Sequence, residues 1–506
     1  TLALSGTGQL ASTSLSVASG AGLTVARNAS LDSATVLGLD GSLTLSPVAV
    51  SLATLNGGGV ALVRLNGTEL TIGDGAYAGV IEDGVGAGSM KKVGNGTLTL
   101  SGASTYTGST KVDGGTLLLS GSGRLASTDV TVAGGATLTV TGGALLPTST
   151  VLTANGLVEF SAAAVDLLTL NGAGGAVVSL DGTVLKLVNG SYAGVLSGTG
   201  SLEKVGVGAL SLSGVNTFSG ATTVKSGAMT LTGGASLAST SISVMGGSLT
   251  LENGATIPST TVLGVDGTVS MASSSVVLQS LSGGSGGRLN LNGTALTLTS
   301  GSYAGVLAGT GSLEKANAGT LTLNGASTYT GATTVNGGVL ALGVSGALSG
   351  STAVTVNGGS ELALGVTAQS VGSVVLNDGT ISGGTLTGVD YLVKKGVVTS
   401  ALAGTGGLTK STTDEVLLSG ANTYTGATVV GAGRLVLGVT GALSSSTAVT
   451  VSGGSELVLG VTAQSVGSVV LNDGTISGGT LTGVDYLVKK GVVTSVLGGT
   501  GGLTKS

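Results

Sequence analysis

Gly96-Thr97-Leu98-Thr99-Leu100-Ser101-Gly102-Ala103-Ser104-Thr105-Tyr106-Thr107-Gly108 returns as Gly319-Thr320-Leu321-Thr322-Leu323-Asn324-Gly325-Ala326-Ser327-Thr328-Tyr329-Thr330-Gly331, and variants of the phrase surround Phe218 and Tyr424. The aromatic anchors Tyr106, Phe218, Tyr329 and Tyr424 lie 112, 111 and 95 residues apart. Self-similarity at long, nearly fixed spacing is the signature of a solenoid, in which stacked units share one continuous core. The sequence reads as a single β-helical array over 1–506, with units at approximately 1–115, 116–227, 228–338 and 339–433 and an incomplete unit over 434–506.

Inside each unit the local period is two. In Thr320-Leu321-Thr322-Leu323 the leucines face one way and the threonines the other, as a half-buried strand requires. Dipeptides that favour positive φ, such as Asn66-Gly67, Asp181-Gly182, Asp266-Gly267, Asn292-Gly293 and Asn336-Gly337, separate the strands. A meander of antiparallel hairpins and a parallel β-helix both fit such punctuation, and the long-range repetition favours the helix. A coil of two or three short strands needs roughly 20 residues, so the chain should hold about 25 coils. The expected fold is all-β: a right-handed parallel β-helix solenoid. Its core should be aliphatic columns that include Leu98, Leu100, Leu210, Leu212, Leu321, Leu323, Leu417 and Leu418.

Composition agrees. With 97 glycines, 3 prolines, 41% hydrophobic and 8% charged residues, the chain has ample core material, very frequent turns and too little charge to stay disordered. A net charge of −5 over 506 residues offers no basic stripe for phosphates and no polybasic patch for an anionic membrane, so nucleic acid is not expected as a partner. Serine, threonine and glycine interrupt every apolar run before the ~18 residues of a membrane helix, and direct membrane insertion by this segment is not expected. There is no cysteine, hence no disulfide framework. The opening residues Thr1-Leu2-Ala3-Leu4-Ser5-Gly6 match Thr116-Leu117-Leu118-Leu119-Ser120-Gly121, and Ser506 matches Ser411, so both ends read as falling inside a repeat.

The phrase Gly309-Thr310-Gly311-Ser312-Leu313-Glu314-Lys315, followed by Gly319 to Leu323 and by Thr328-Tyr329-Thr330-Gly331-Ala332-Thr333-Thr334-Val335, resembles the passenger-associated repeat of bacterial autotransporter proteins. Versions appear as Ser89-Met90-Lys91-Lys92 with Tyr106, Ser201-Leu202-Glu203-Lys204 with Phe218 and Gly407-Leu408-Thr409-Lys410 with Tyr424, and a last one runs up to Lys505. The resemblance implies a right-handed parallel β-helix, export by a type V route, and display at the outer membrane or release. It implies no particular activity, because such repeats form stalks for many functions. Residues 365–400 are identical to residues 460–495, which exceeds what folding demands and reads as a recent whole-unit duplication.

Candidate sites are few. Without histidine, cysteine or tryptophan, Ser-His-Asp and Cys-His catalysis and histidine metal sites are excluded. Carboxylates remain, and the adjacent pairs Glu82-Asp83 and Asp414-Glu415 stand out, but neighbours on a strand point to opposite faces, so solvated turn charge is preferred to paired acid–base chemistry. Asn377-Asp378-Gly379 and Asn472-Asp473-Gly474 supply too few oxygens for calcium and read as turns, and Asn-Gly positions can stack into amide ladders. Tyr77, Tyr192 and Tyr303 recur in the frame Tyr-Ala-Gly-Val, and these rings, like the four anchors, are expected to pack inside, since Phe218 dispenses with the hydroxyl. Lys92, Lys204, Lys315, Lys410 and Lys505 should form a sparse axial column of gatekeeping charge against lateral strand pairing. Threonine triplets such as Thr97-Leu98-Thr99, Thr230-Leu231-Thr232 and Thr297-Leu298-Thr299 are too sporadic for an ice-binding face.

The sequence thus points to a non-enzymatic extracellular rod, the stalk of a large bacterial surface adhesin or fibre, with no catalytic, cofactor or metal site. Its expected partners are other copies of itself end to end, or host and neighbouring cell-surface molecules. The alternatives are a self-assembling filament or sheath subunit and a β-helical polysaccharide-processing enzyme that uses carboxylates.

Overall fold

The computed structural model describes residues 1–460 and 462–506. Among them about 53% lie in strands, none lies in a helix, and the chain makes about 25 turns of a parallel β-solenoid. It divides into two compact units, Thr1–Pro258 and Ser259–Ser506.

In the first unit Leu98 stacks on Leu117, then Leu138, Val158, Val178 and Leu196, with offsets of 18 to 21 residues per coil. The second unit builds an equivalent column from Leu321, Leu340, Leu362, Ile381, Val398 and Leu418, with offsets of 17 to 22. Every one of these pairings is parallel, which removes the hairpin meander. All of these column residues are buried, each stabilising the coil stack by about 1.5–3 kcal/mol. One core expectation needs correcting: Leu417 is only half-buried, and Val416 and Leu418 are the inward residues of strand Glu415–Leu418. In Val-Leu-Leu the apolar run is unbroken, so alternation alone leaves the inward phase open.

Some strands run round a corner and serve two faces. Val184–Tyr192 pairs through Val184–Leu187 with Ser201–Lys204 and through Gly190–Tyr192 with Leu210–Leu212. The bend falls at Gly190, whose φ is 148° and where a Cβ would collide with the carbonyl of Leu170 in the preceding coil. Asn66-Gly67 (46° and 82°) and Asn292-Gly293 (45° and 88°) take the expected positive dihedrals. In Asn336-Gly337-Gly338 the positive φ moves on to Gly338.

Charge on the outer faces follows the stacking. Arg64–Glu82, Lys91–Asp113, Lys186–Asp166, Lys225–Glu203, Lys395–Asp378, Lys490–Asp473 and the two contacts of Arg434, to Glu415 and Glu456, each join residues one coil apart at 2.7–3.3 Å.

Candidate functional site

The residues singled out by the repeat are mostly interior, and the lysines are the largest departure from expectation. Lys92, Lys204, Lys315 and Lys410 are fully buried and are not gatekeeping surface charges; Lys505 is exposed. The cause is strand phase. In Ser201-Leu202-Glu203-Lys204, Leu202 and Lys204 share the inward face, and Lys204 occupies a column with Leu187 before it and Val224 after it. Each ammonium group then escapes the aliphatic core by reaching backbone carbonyls at the coil's corner.

The acceptors repeat. Lys92 Nζ donates to the carbonyls of Val93 (2.8 Å), Gly94 (3.3 Å) and Gly114 (3.0 Å). Lys204 Nζ donates to those of Val205 (2.8 Å), Gly206 (2.9 Å) and Ser226 (3.1 Å). Lys315 Nζ donates to those of Ala316, Asn317 and Gly337, all at 2.8 Å. Lys410 Nζ donates to the carbonyls of Thr412 and Ala432, the latter at 3.2 Å. In all four the far acceptor is 22 residues on, in the next coil. Burial lowers the pKa of each of these ammonium groups, and Asp74 and Asp414 partly oppose the shift at Lys92 and Lys410.

The aromatic anchors are packed, as expected. Tyr106, Tyr329 and Tyr424 are fully buried, and their hydroxyls meet Thr110, Thr333 and Thr428 at 2.7, 2.5 and 2.7 Å. Phe218 is equally buried, and Thr222, the counterpart threonine, has a buried hydroxyl without a partner. Tyr77, Tyr192 and Tyr303 are also interior.

The carboxylates are tied into the stack. Glu82 is held by Arg64, and Asp83 accepts hydrogen bonds from the Gly88 and Thr107 amides and the Thr107 hydroxyl. Glu415 and Glu456 flank Arg434, and the Ser477 hydroxyl with Arg434 holds the Glu456 carboxyl below its usual range. Asp378 and Asp473 face Lys395 and Lys490. Asn377 belongs to an amide ladder: its Nδ2 donates to Asn357 Oδ1 (2.5 Å), Asn357 to Asn336 (2.5 Å), and Asn336 to Glu314 (2.6 Å). Among the described residues no cluster of three or more metal-ligating side chains forms. A surface depression of about 430 Å³ is lined by Ala421, Asn422, Thr423, Ser444 and Ser445 with other small residues, and another of about 430 Å³ by Arg124, Leu125, Leu145 and Leu146. Neither gathers convergent ionisable groups.

Fold and repeat together support a repeat-bearing autotransporter passenger, the class of protein this chain resembles. The passenger-associated-transport-repeat matches residues 90–119, 202–232, 313–342 and 408–437, each stretch opening two residues before one of the buried lysines. Over 460 residues, 85% of this chain, the sequence is 32% identical to an adhesin of Brucella suis biovar 1 (strain 1330), the adhesin BmaC autotransporter, and the match spans 12% of that relative's length. No solved structure matches the chain.

Proposed function

We propose that this chain is a non-enzymatic, adhesin-like segment of a bacterial surface-displayed or secreted passenger, serving as a stalk that carries contact surfaces away from the cell. The observation that supports this most is where the ionisable groups go: the lysines of the repeat are consumed inside the coil stack, and the carboxylates that could serve catalysis stabilise neighbouring coils. The similarity to an autotransporter adhesin supports the same reading. Its partners on this reading are host or neighbouring-cell surface molecules, or further copies of the chain.

The test is adhesion of beads carrying the purified chain to bacterial and host cells, run beside a panel of bacterial and plant glycans assayed for cleavage. Adhesion above that of uncoated beads, with no glycan cleaved, is the expected outcome. Cleavage that is lost in Glu415→Gln or Glu82→Gln would replace the stalk with the polysaccharide-processing alternative.

A further inference from the structure

The four buried lysines share more than burial. The acceptor 22 residues on is always followed, at 23, by a glycine in the left-handed region: Gly115 (61°), Gly227 (70°), Gly338 (60°) and Gly433 (62°). At Gly227 an added Cβ would lie 2.6 Å from Lys204 Nζ, and at the other three it would collide with backbone carbonyls of the lysine's own turn. The glycine turn is therefore tucked against the lysine turn, and its preceding carbonyl is aimed at the ammonium group.

The next turn along is different. Across it the register gains one residue: Val112 to Val132 is 20 residues while Thr116 to Thr137 is 21, Val335 to Val356 is 21 while Val339 to Glu361 is 22, and Val430 to Val451 is 21 while Arg434 to Glu456 is 22. At its left-handed glycines Gly135, Gly359 and Gly454 an added Cβ would meet no atom within 4 Å, so this turn is not tucked against the lysine turn as the first one is. Lys204 is the exception, since Val224 to Val244 and Ala228 to Ser248 are both 20.

A whole-coil slip in a solenoid keeps every inward residue inward, so aliphatic columns such as Val430 over Val451 do not reject it. Only position-specific polar groups can. We propose that lysine and tucked glycine turn form a register key: the buried ammonium accepts only the coil whose turn presents a carbonyl at 22 residues, and so rejects, during folding, stacking of the coil after it. A slipped stack leaves one coil looped out and unburied, so the key acts against a folding trap. A single buried polar group that fixes register in a repetitive interface has the same logic in coiled coils.

The chain lacks cysteine, so engineered pairs report register without interference. Thr409 sits beside Val429, and Val429 beside Thr450. Thr409→Cys with Val429→Cys reports the native stack; Thr409→Cys with Thr450→Cys reports the slip, since two stacked intervals of ~4.8 Å exceed disulfide reach in the native fold. The full chain is unfolded, refolded and oxidised at early times. With Lys410 present the slipped crosslink should be near background. In Lys410→Met it should rise ~10-fold, the factor set by losing a charged hydrogen bond that discriminates the two stacks. If Lys410→Met melts lower yet still forms the native crosslink alone, the lysine only stabilises and the register key is overturned. Should that variant not fold, Lys315→Met is tested with Glu314→Cys paired to Thr334→Cys (native) or to Thr355→Cys (slipped). Native crosslinking alone in that variant, or failure of both variants to give any slipped crosslink, likewise overturns it.

Discussion

Thr222 shows how much a single atom matters in this core. Its buried hydroxyl has no partner, whereas Thr110, Thr333 and Thr428 each meet a tyrosine hydroxyl. Phe218→Tyr should supply that partner and stabilise the fold by about 1 kcal/mol, raising the urea midpoint with an unchanged m-value. A lowered midpoint would mean that the Phe218 pocket has no room for the oxygen. The tyrosines as a group set the alkaline limit. Burial raises the pKa of all eight, from Tyr77 to Tyr486, above the ordinary value of 10.0. Their folded pKa exceeds the unfolded one, so their contribution is complete below pH 10 and is lost as pH climbs above it. The buried lysines have the opposite sign, their folded values lying below 10.5, so their burden eases as pH approaches 10.5 from below. Absorbance titration should therefore find no set of tyrosines ionising near pH 10 while the fold holds, and then joint ionisation with unfolding. Several tyrosines titrating near the ordinary value in the folded protein would contradict their burial.

At the scale of the strand, inward and outward phase decide tolerance. Leu418→Asp or Leu321→Asp would bury an unpaired carboxylate and should cost at least ~3 kcal/mol, opening nearby coils to protease. Leu417→Asp faces outward and should cost only ~0.5 kcal/mol. Equal effects at Leu417 and Leu418 would mean that this strand has the other phase. The same alternation explains what is legible in advance. Leu98 and Leu100, with threonine between them, declare their face, and the recurring tyrosine phrase declares its packing through Phe218. Lys204 defeats the sequence reading because a charge is expected outside, although its position two residues after Leu202 already puts it on the inward face. The stacked amides of Asn336 and Asn357 are foreseeable as a class from Asn-Gly pairs, while Asn377, followed by Asp378, joins them without that signature. Their alignment depends on coil lengths of 20 and 21 residues that no local pattern specifies.

For the molecule as a whole, adhesion between coils is apolar inside and ionic outside, and the two respond differently to solvent. The ion pairs are solvent-exposed at one or both partners, with side-chain exposures from 21% to 75%, so each contributes at most about 1 kcal/mol. Thermal unfolding in about 1 M NaCl should differ little from that in dilute buffer, because screening removes only this minor contribution. A collapse of stability in salt would make the outer ladders the principal support. Candidate sites are the least legible feature at this scale: the sequence shows which ionisable residues exist, while Arg64 on Glu82, Thr107 on Asp83 and Arg434 on Glu415 reach them from coils 18 to 24 residues distant.

The identity of residues 365–400 and 460–495 carries a consequence for inheritance. Because the pairings of Ala368 with Thr385 and Ser373 with Asp390 recur 95 residues on as Ala463 with Thr480 and Ser468 with Asp485, a crossover between the two stretches adds or removes 95 residues without creating a junction the fold has not already solved. Excising residues 366–460 should give a shorter protein that melts within a few degrees of the parent, the loss of one unit being nearly neutral where stability is a sum over neighbours. Offspring cells could then vary the span of this protein in discrete steps, by recombination alone and with no intermediate that fails to fold.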